Sequence, residues 1–276
     1  MFDKVSRSWE LVKASASVLR SDKELMLFPV ISGLVTLAVA ATFLVPALAL
    51  KAFANGIGAG GVLFGVLCYF VLYSIIIFFN CALVGAAMIR LDGGDPTLAD
   101  GFRAARARIP SILGYAAIAA TVGVLLQGLK NKDNFLVRVM ASALGAAWTL
   151  ATFLVVPVLV SRDVGPIDAL KQSVALLKRT WGENAVGQMG IGAAFGLITF
   201  GVVVVGVATT VFAAQLSGAL AVLVGALFLL AVLLVGVYQA ALSGIYSAAL
   251  YRYAVSHETP DAFRGADLEH AFLPKD

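Results

Sequence analysis

Charged residues are scarce in this sequence. Lys, Arg, Asp and Glu make up 13% of its 276 residues, against about 25% in soluble domains. None of them occurs in five long stretches, which are 27–50, 52–89, 109–129, 139–161 and 185–251. A water-soluble fold of this size cannot bury so much continuous apolar chain, so the pattern excludes a soluble globular domain and predicts an integral membrane protein.

Residues that carry chemistry are equally few. The two histidines, His257 and His270, lie close to the C-terminus, and no carboxylate falls within the apolar stretches. The sequence contains no H-E-x-x-H, C-x-x-C, G-x-S-x-G or P-loop motif. We therefore predict no catalytic set, no cofactor and no metal site. A proton- or sodium-coupled carrier is also disfavoured, because such carriers place ionisable residues inside the membrane.

The lengths of the apolar stretches define the spans. A bilayer core about 30 Å thick needs about 20 helical residues, and the last stretch must be split at its polar break, Gln215, Ser217 and Gly218. The six predicted transmembrane helices are about 26–50, 60–89, 109–129, 139–161, 185–211 and 218–251. The predicted fold is an all-α membrane protein with a single domain over 1–255 and a cytoplasmic tail over 256–276.

Basic residues are unevenly distributed between the two sides of these spans. Of the 20 Lys and Arg residues, sixteen fall on the side of the termini and four on the other. The four are Lys51, Lys130, Lys132 and Arg138. Under the positive-inside rule this asymmetry predicts that both termini are cytoplasmic.

Three polar segments, at about 4–20, 96–108 and 166–181, read as cytoplasmic amphipathic helices. In each of them apolar residues recur at i, i+4, i+7 and i+11, which places them in one stripe along a helix. Each segment precedes a pair of predicted spans. The order predicts a threefold internal repeat of amphipathic helix plus transmembrane hairpin.

Local signals mark helix starts and kinks. Asp95-Pro96 and Gly165-Pro166 each look like the entry to an amphipathic helix, with Pro at its first position. The segment Ser21-Asp22-Lys23-Glu24 matches a capping box before the first span. Pro46 and Pro157 lie inside spans, where the missing backbone donor favours a kink.

The amphipathic helices suggest contact with lipid. Their Lys and Arg side chains can reach anionic headgroups, and Trp9 and Trp181 suit the interfacial level. The predicted headgroup-binding residues are Lys4, Arg7, Lys13, Arg103, Arg106, Arg108, Lys171, Lys178 and Arg179. The stripes equally fit helices that cap the cytoplasmic ends of the spans. Membrane lipids are the expected partners, and no nucleic-acid partner is predicted.

Polar and small residues within the spans form a second candidate set. Asn80, Gln188 and Gln239 carry amides, which are costly in hydrocarbon without a partner, so they either join helices or line a polar cavity. Gly192-x-x-x-Gly196 permits close helix packing. That packing can be within the monomer or at the seam of a homo-oligomer.

Two stretches of the chain carry a family resemblance. The first runs from Ser8-Trp9-Glu10-Leu11-Val12-Lys13-Ala14-Ser15 through 19–25 to Phe28-Pro29, and the second is Pro157 with 165–173. Together they resemble an uncharacterised family of bacterial six-helix integral membrane proteins. The second is also similar to the membrane domain fused to some glycerophosphodiester phosphodiesterases, whose catalytic domain is absent here. The resemblance implies a multi-pass protein of the bacterial inner membrane and brings no catalytic residues.

Two functions fit these features. The first is a non-enzymatic inner-membrane protein that binds or organises lipid at the cytoplasmic leaflet through the basic amphipathic helices. The alternative is a homo-oligomeric channel or transporter subunit with an uncharged pore, since channels can use backbone groups, hydroxyls or an apolar gate. An enzyme acting on lipid-linked substrates fits least, because no acid–base or nucleophile set is visible.

Overall fold

The computed structural model describes residues 2–49, 58–179, 184–256 and 263. Within these ranges all regular structure is helical. Six helices, or near-continuous pairs of helices, are long and apolar enough to cross a membrane. The predicted all-α fold is therefore confirmed, with six helices that could span a membrane.

The described residues form ten α-helices and one short 3₁₀ helix, Lys23–Met26, which leads into the second α-helix. The α-helices are α1 Phe2–Ser21, α2 Leu27–Ala49, α3 Ala59–Leu91, α4 Leu98–Arg106, α5 Ile109–Lys130, α6 Phe135–Thr152, α7 Val155–Ser161, α8 Pro166–Arg179, α9 Asn184–Leu216 and α10 Gly218–Ser256. The spans are α2, α3, α5, the pair α6 and α7, α9, and α10. The ends of these helices differ from the ends of the predicted spans by five residues at most.

Helices are also present at the three predicted cytoplasmic segments. They are α1, α4 and α8, which we call the short helices. Residues 180–183 and 264–276, which include the end of the third segment and most of the tail, lie outside the described residues. That the three units are repeats of one another, and that their side of the bundle is cytoplasmic, both stay predictions.

The fourth span is broken where Pro157 predicted a kink. Pro157 has no N–H to offer the carbonyl of Phe153, and α6 ends one residue before that position. The break is repaired from outside the span by Ser173 of α8. Its hydroxyl accepts from the Leu154 N–H at 3.2 Å and donates to the Ala151 carbonyl at 2.7 Å. The kink is therefore also a docking point for α8.

Two predicted helix starts are wrong in detail. The N-cap of α4 is Thr97, not Asp95, because Thr97 and Asp100 form a reciprocal capping box with N···O distances of 3.3 and 3.0 Å. Before α2, Asp22 rather than Ser21 supplies the cap, accepting from the Glu24 N–H at 3.1 Å. The carboxylate of Glu24 is then left to accept from the backbone of α4.

Buried residues concentrate at one end of the bundle. This end, which we call the capped end, contains the buried segments 81–84 of α3, 158–159 of α7 and 245–251 of α10. Towards the opposite end large apolar side chains such as Leu48, Leu63 and Leu136 are exposed on the surface of the chain. In a bilayer those side chains contact lipid instead of other protein side chains. Dense packing of protein against protein is therefore concentrated at the capped end.

The short helices contribute to this burial. The helix α4 packs on α3, α8 packs on α6 and α7, and α1 packs on α9 and α10. Each short helix except the first therefore lies on the hairpin that precedes it in the chain. The first lies on the last hairpin.

Candidate functional site

The short helices turn their apolar sides towards the bundle. Val12 of α1, Ala105 of α4 and Leu177 of α8, which belong to the three predicted stripes, are buried. Gly101 brings α4 directly against the backbone, since an added Cβ would lie 2.7 Å from the Ala82 carbonyl oxygen of α3. This is the geometry expected of helices that cap the spans rather than of helices immersed between headgroups.

Basic side chains lie on the outward sides of the same helices. Arg103 and Lys171 have 77% and 72% of their side chains exposed, and Lys13, Arg106 and Lys178 are exposed as well. We call these five residues the basic rim. Six other predicted residues lie outside the described side chains, namely Lys4, Arg7, Trp9, Arg179, Trp181 and Gln188.

A layer of ion pairs and hydrogen bonds joins the helices beneath the basic rim. Arg252 at the end of α10 pairs with Asp92 after α3, and Arg108 before α5 pairs with Asp163 after α7. Because Arg108 is held in this layer with only 21% of its side chain exposed, it is less available to a headgroup than the sequence predicted.

Further hydrogen bonds in this layer connect the ends of the spans to the short helices. Arg162 donates to the Tyr251 hydroxyl at 3.1 Å and to Gln172 of α8 at 2.8 Å. The Leu98 N–H at the start of α4 donates to Glu24 at 3.2 Å. These contacts fix the short helices relative to the spans. The sequence did not predict them because their partners belong to different elements and meet only through tertiary packing.

The cluster of aspartates after α3 is divided among separate partners. Asp95 pairs with Arg90 at 3.6 Å, and Asp100 pairs with Arg103 at 2.8 Å. Hydrogen bonds from Thr97 lower the pKa of Asp100 below its ordinary value of 3.8. Burial raises the pKa of Asp22 at the neighbouring cap. Each of these carboxylates therefore caps a helix or forms an ion pair with an Arg side chain. They do not come together around a common ligand position.

The predicted polar residues within the spans come to a similar depth. Leu83 of α3 packs on Gly244 of α10, where an added Cβ would lie 2.4 Å from its Cδ2. Asn80 is three residues before Leu83 and Gln239 is five before Gly244, so they differ in depth by about 3 Å. Both are half-buried, and neither side chain makes a hydrogen bond with a described residue.

Close helix packing occurs at other glycines than those predicted. At Gly192 and Gly196 an added Cβ would meet no described atom within 4 Å, whereas at Gly206 of α9 it would lie 2.8 Å from the Phe228 ring of α10. Contact at Gly192 and Gly196 would therefore have to come from beyond the described atoms. A seam with a second copy of the chain stays a prediction.

Two apolar clefts open on the membrane-facing surface. The first, about 260 Å³, lies between α2, α3 and α5. Its lining residues are Val35, Ser74, Ile75, Phe78, Phe79, Ile109, Ile112 and Leu113. The second, about 390 Å³, lies between α9 and α10 and includes Gly206, Phe228 and Leu229. The sequence did not predict either cleft. The spacing of apolar residues along one helix does not show where a gap opens between neighbouring helices.

Comparison with known proteins matches the chain to a family whose function is unknown. No curated protein matches the chain. Residues 57–261 match the family of unknown function DUF6159. The matched region contains five of the six spans. The N-terminal stretch that carried part of the resemblance lies wholly outside it. It covers about three quarters of the sequence, so the chain belongs to that family.

Proposed function

We propose that this member of the DUF6159 family is a non-enzymatic membrane protein whose capped end binds anionic lipid headgroups through the basic rim. The observation that supports the proposal is the division of the short helices, whose apolar sides are buried in the bundle while their Lys and Arg side chains remain outside. Basic side chains beside an anionic leaflet each contribute about 1 kcal/mol to binding.

The proposed mode of binding differs from that of a helix lying loosely on a membrane. Ser173 and Gln172 tie α8 to the spans, and Glu24 ties the start of α4 to the segment before α2. The basic rim is thereby held on a fixed frame at the level where the spans leave the hydrocarbon. Such a frame can organise several headgroups around one protein without inserting between acyl chains.

Retention of added lipid by the purified protein tests the proposal. We expect the wild type in detergent to retain more phosphatidylglycerol than phosphatidylcholine in native mass spectrometry. The triple variant Arg103→Gln, Lys171→Gln, Lys178→Gln should lose most of that preference. The matched control, Lys130→Gln, Lys132→Gln, Arg138→Gln, removes three charges from the opposite side and should keep it. Equal retention of the two lipids by the wild type would overturn the proposal.

A channel is the second candidate function. It is favoured by the half-buried amides of Asn80 and Gln239, which lie at a similar depth without a hydrogen-bond partner among the described residues. Unpaired amides in hydrocarbon are costly, whereas amides that face water in a pore are not. Ion flux across liposomes containing the protein, reduced by Asn80→Leu, would support this function. A flux unchanged by Asn80→Leu and by Gln239→Leu would exclude this lining.

A further inference from the structure

We infer that one anionic phospholipid has a defined site on this protein, with an acyl chain in the cleft between α2, α3 and α5 and its phosphate on Arg106. The inference rests on the proposed function and adds to it a particular place and a particular residue. It is carried by the juxtaposition of an apolar cleft with an exposed cation at the level of the capped end.

The walls of the cleft suit a hydrocarbon chain. Val35, Ile75, Phe78 and Leu113 are apolar, and the one hydroxyl, that of Ser74, already donates to the Phe70 carbonyl at 2.7 Å. The volume of about 260 Å³ falls below the roughly 300–1,000 Å³ of pockets that enclose small molecules. The cleft therefore fits a chain that lies along it with one side still facing the bilayer.

Aromatic packing fixes the wall next to α4. The rings of Phe78 and Phe79 lie with their centroids 6.2 and 5.7 Å from that of Phe102. Phe102 in turn packs against Phe28 at 5.5 Å. Because these rings come from α2, α3 and α4, the wall of the cleft and the helix that carries the cation form one packed unit.

Arg106 is placed to receive the phosphate. It follows Phe102 by four residues, about one helical turn further along α4, and it precedes Ile109 of the cleft lining by three. Its neighbours Arg103 and Arg108 pair with Asp100 and Asp163. Arg106 is exposed and has no carboxylate partner among the described residues. An anionic headgroup would complement this charge, whereas a zwitterionic one brings its own cation.

The cleft between α9 and α10 provides an internal control. It is larger, at about 390 Å³, and comparably apolar, but it lies within 185–251, where the sequence has no charged residue. An acyl chain there would have no local cation to hold its headgroup. The same substitution in the two clefts therefore separates a specific site from general contact with lipid.

The test measures binding of phosphatidylglycerol to the wild type and three variants by native mass spectrometry, titrating the lipid. Arg106→Gln should weaken the tightest binding event about fivefold, the equivalent of the one basic contact it removes. Leu113→Trp should abolish that event by filling the cleft. Leu229→Trp, in the second cleft, should leave it unchanged. A cooperative thermal unfolding transition shows which variants are folded. If Leu113→Trp is not folded, Ile109→Trp at the edge of the cleft takes its place.

The outcomes separate this site from the proposed function. If the wild type shows no preference for phosphatidylglycerol over phosphatidylcholine, both ideas fail. If the preference exists but Arg106→Gln and the cleft variant bind as the wild type does, the defined site is refuted and binding by the rest of the basic rim stands. An equal loss in Leu229→Trp would also refute it, since the effect would not be local to the cleft.

Discussion

The hydroxyl of Ser173 holds together the broken fourth span. It is buried and bonds both the Leu154 N–H and the Ala151 carbonyl across the break. The sequence predicted the kink from Pro157, because a missing backbone donor is a local property. It could not predict the partner, which belongs to another helix and is brought to the break only by tertiary packing.

Replacing Ser173 with Ala should destabilise the protein by about 1–3 kcal/mol, because the Leu154 N–H would be left buried without a partner. Thermal or denaturant unfolding in detergent measures the effect. Ser142→Ala is the control, since the Ser142 hydroxyl is exposed and bonds only the Arg138 carbonyl of its own helix. Equal stabilities of the two variants would contradict the role given to Ser173.

At the scale of the helix, α4 shows what a sequence pattern can and cannot locate. Its apolar spacing predicted a helix in the right place, and the structure begins it two residues later than expected. The sequence predicted the start at Asp95-Pro96. The choice falls on Thr97 because Asp100 can return the hydrogen bond, while Asp95 is drawn to Arg90.

The capping box makes the stability of α4 depend on pH. Hydrogen bonds from Thr97 lower the pKa of Asp100 below 3.8 in the folded state, so its contribution is present above that value and is lost as pH falls through the lower folded-state pKa. We expect the wild type to exceed Asp100→Asn in melting temperature at pH 7, with the difference shrinking below pH 3.8.

A second aspartate variant serves as the reference for this comparison. Asp133→Asn lies in the connection between α5 and α6, away from the capped end. Subtracting its pH response removes the general effect of losing one carboxylate. A wild-type advantage over Asp100→Asn that stayed constant from pH 7 to below pH 3.8 would show that the ionised carboxylate does not stabilise α4.

For the whole molecule, composition was sufficient to find the spans. Each span is a local run of apolar residues whose length is set by the bilayer, and all six were predicted. The clefts, the layer of ion pairs and the order in which the short helices pack were not, because they depend on contacts such as Arg252 with Asp92. The prediction of close packing at Gly192 and Gly196 has the same weakness. A motif of small residues permits close approach but does not identify the helix that approaches it.

The charge asymmetry predicts the orientation of the bundle, and cysteine labelling tests it. In a background with Cys68→Ala and Cys81→Ala, Lys132→Cys should react with an impermeant maleimide added to intact cells. Lys178→Cys should react only after the membrane is permeabilised. Both Lys132 and Lys178 are exposed, so poor accessibility cannot account for a difference. The reverse pattern would place the capped end outside.

The packing of α1 on α9 and α10 constrains the order in which the protein can fold during synthesis. The buried residues Leu11, Val12, Val18 and Leu19 are synthesised before the surfaces that α1 covers, because those surfaces belong to α9 and α10. Until α9 and α10 have been made, the apolar side of α1 must be covered by the bilayer or by a chaperone. A chain halted before the sixth span would leave that apolar surface of α1 without its partner, so α1 can dock fully only after α9 and α10 have been synthesised.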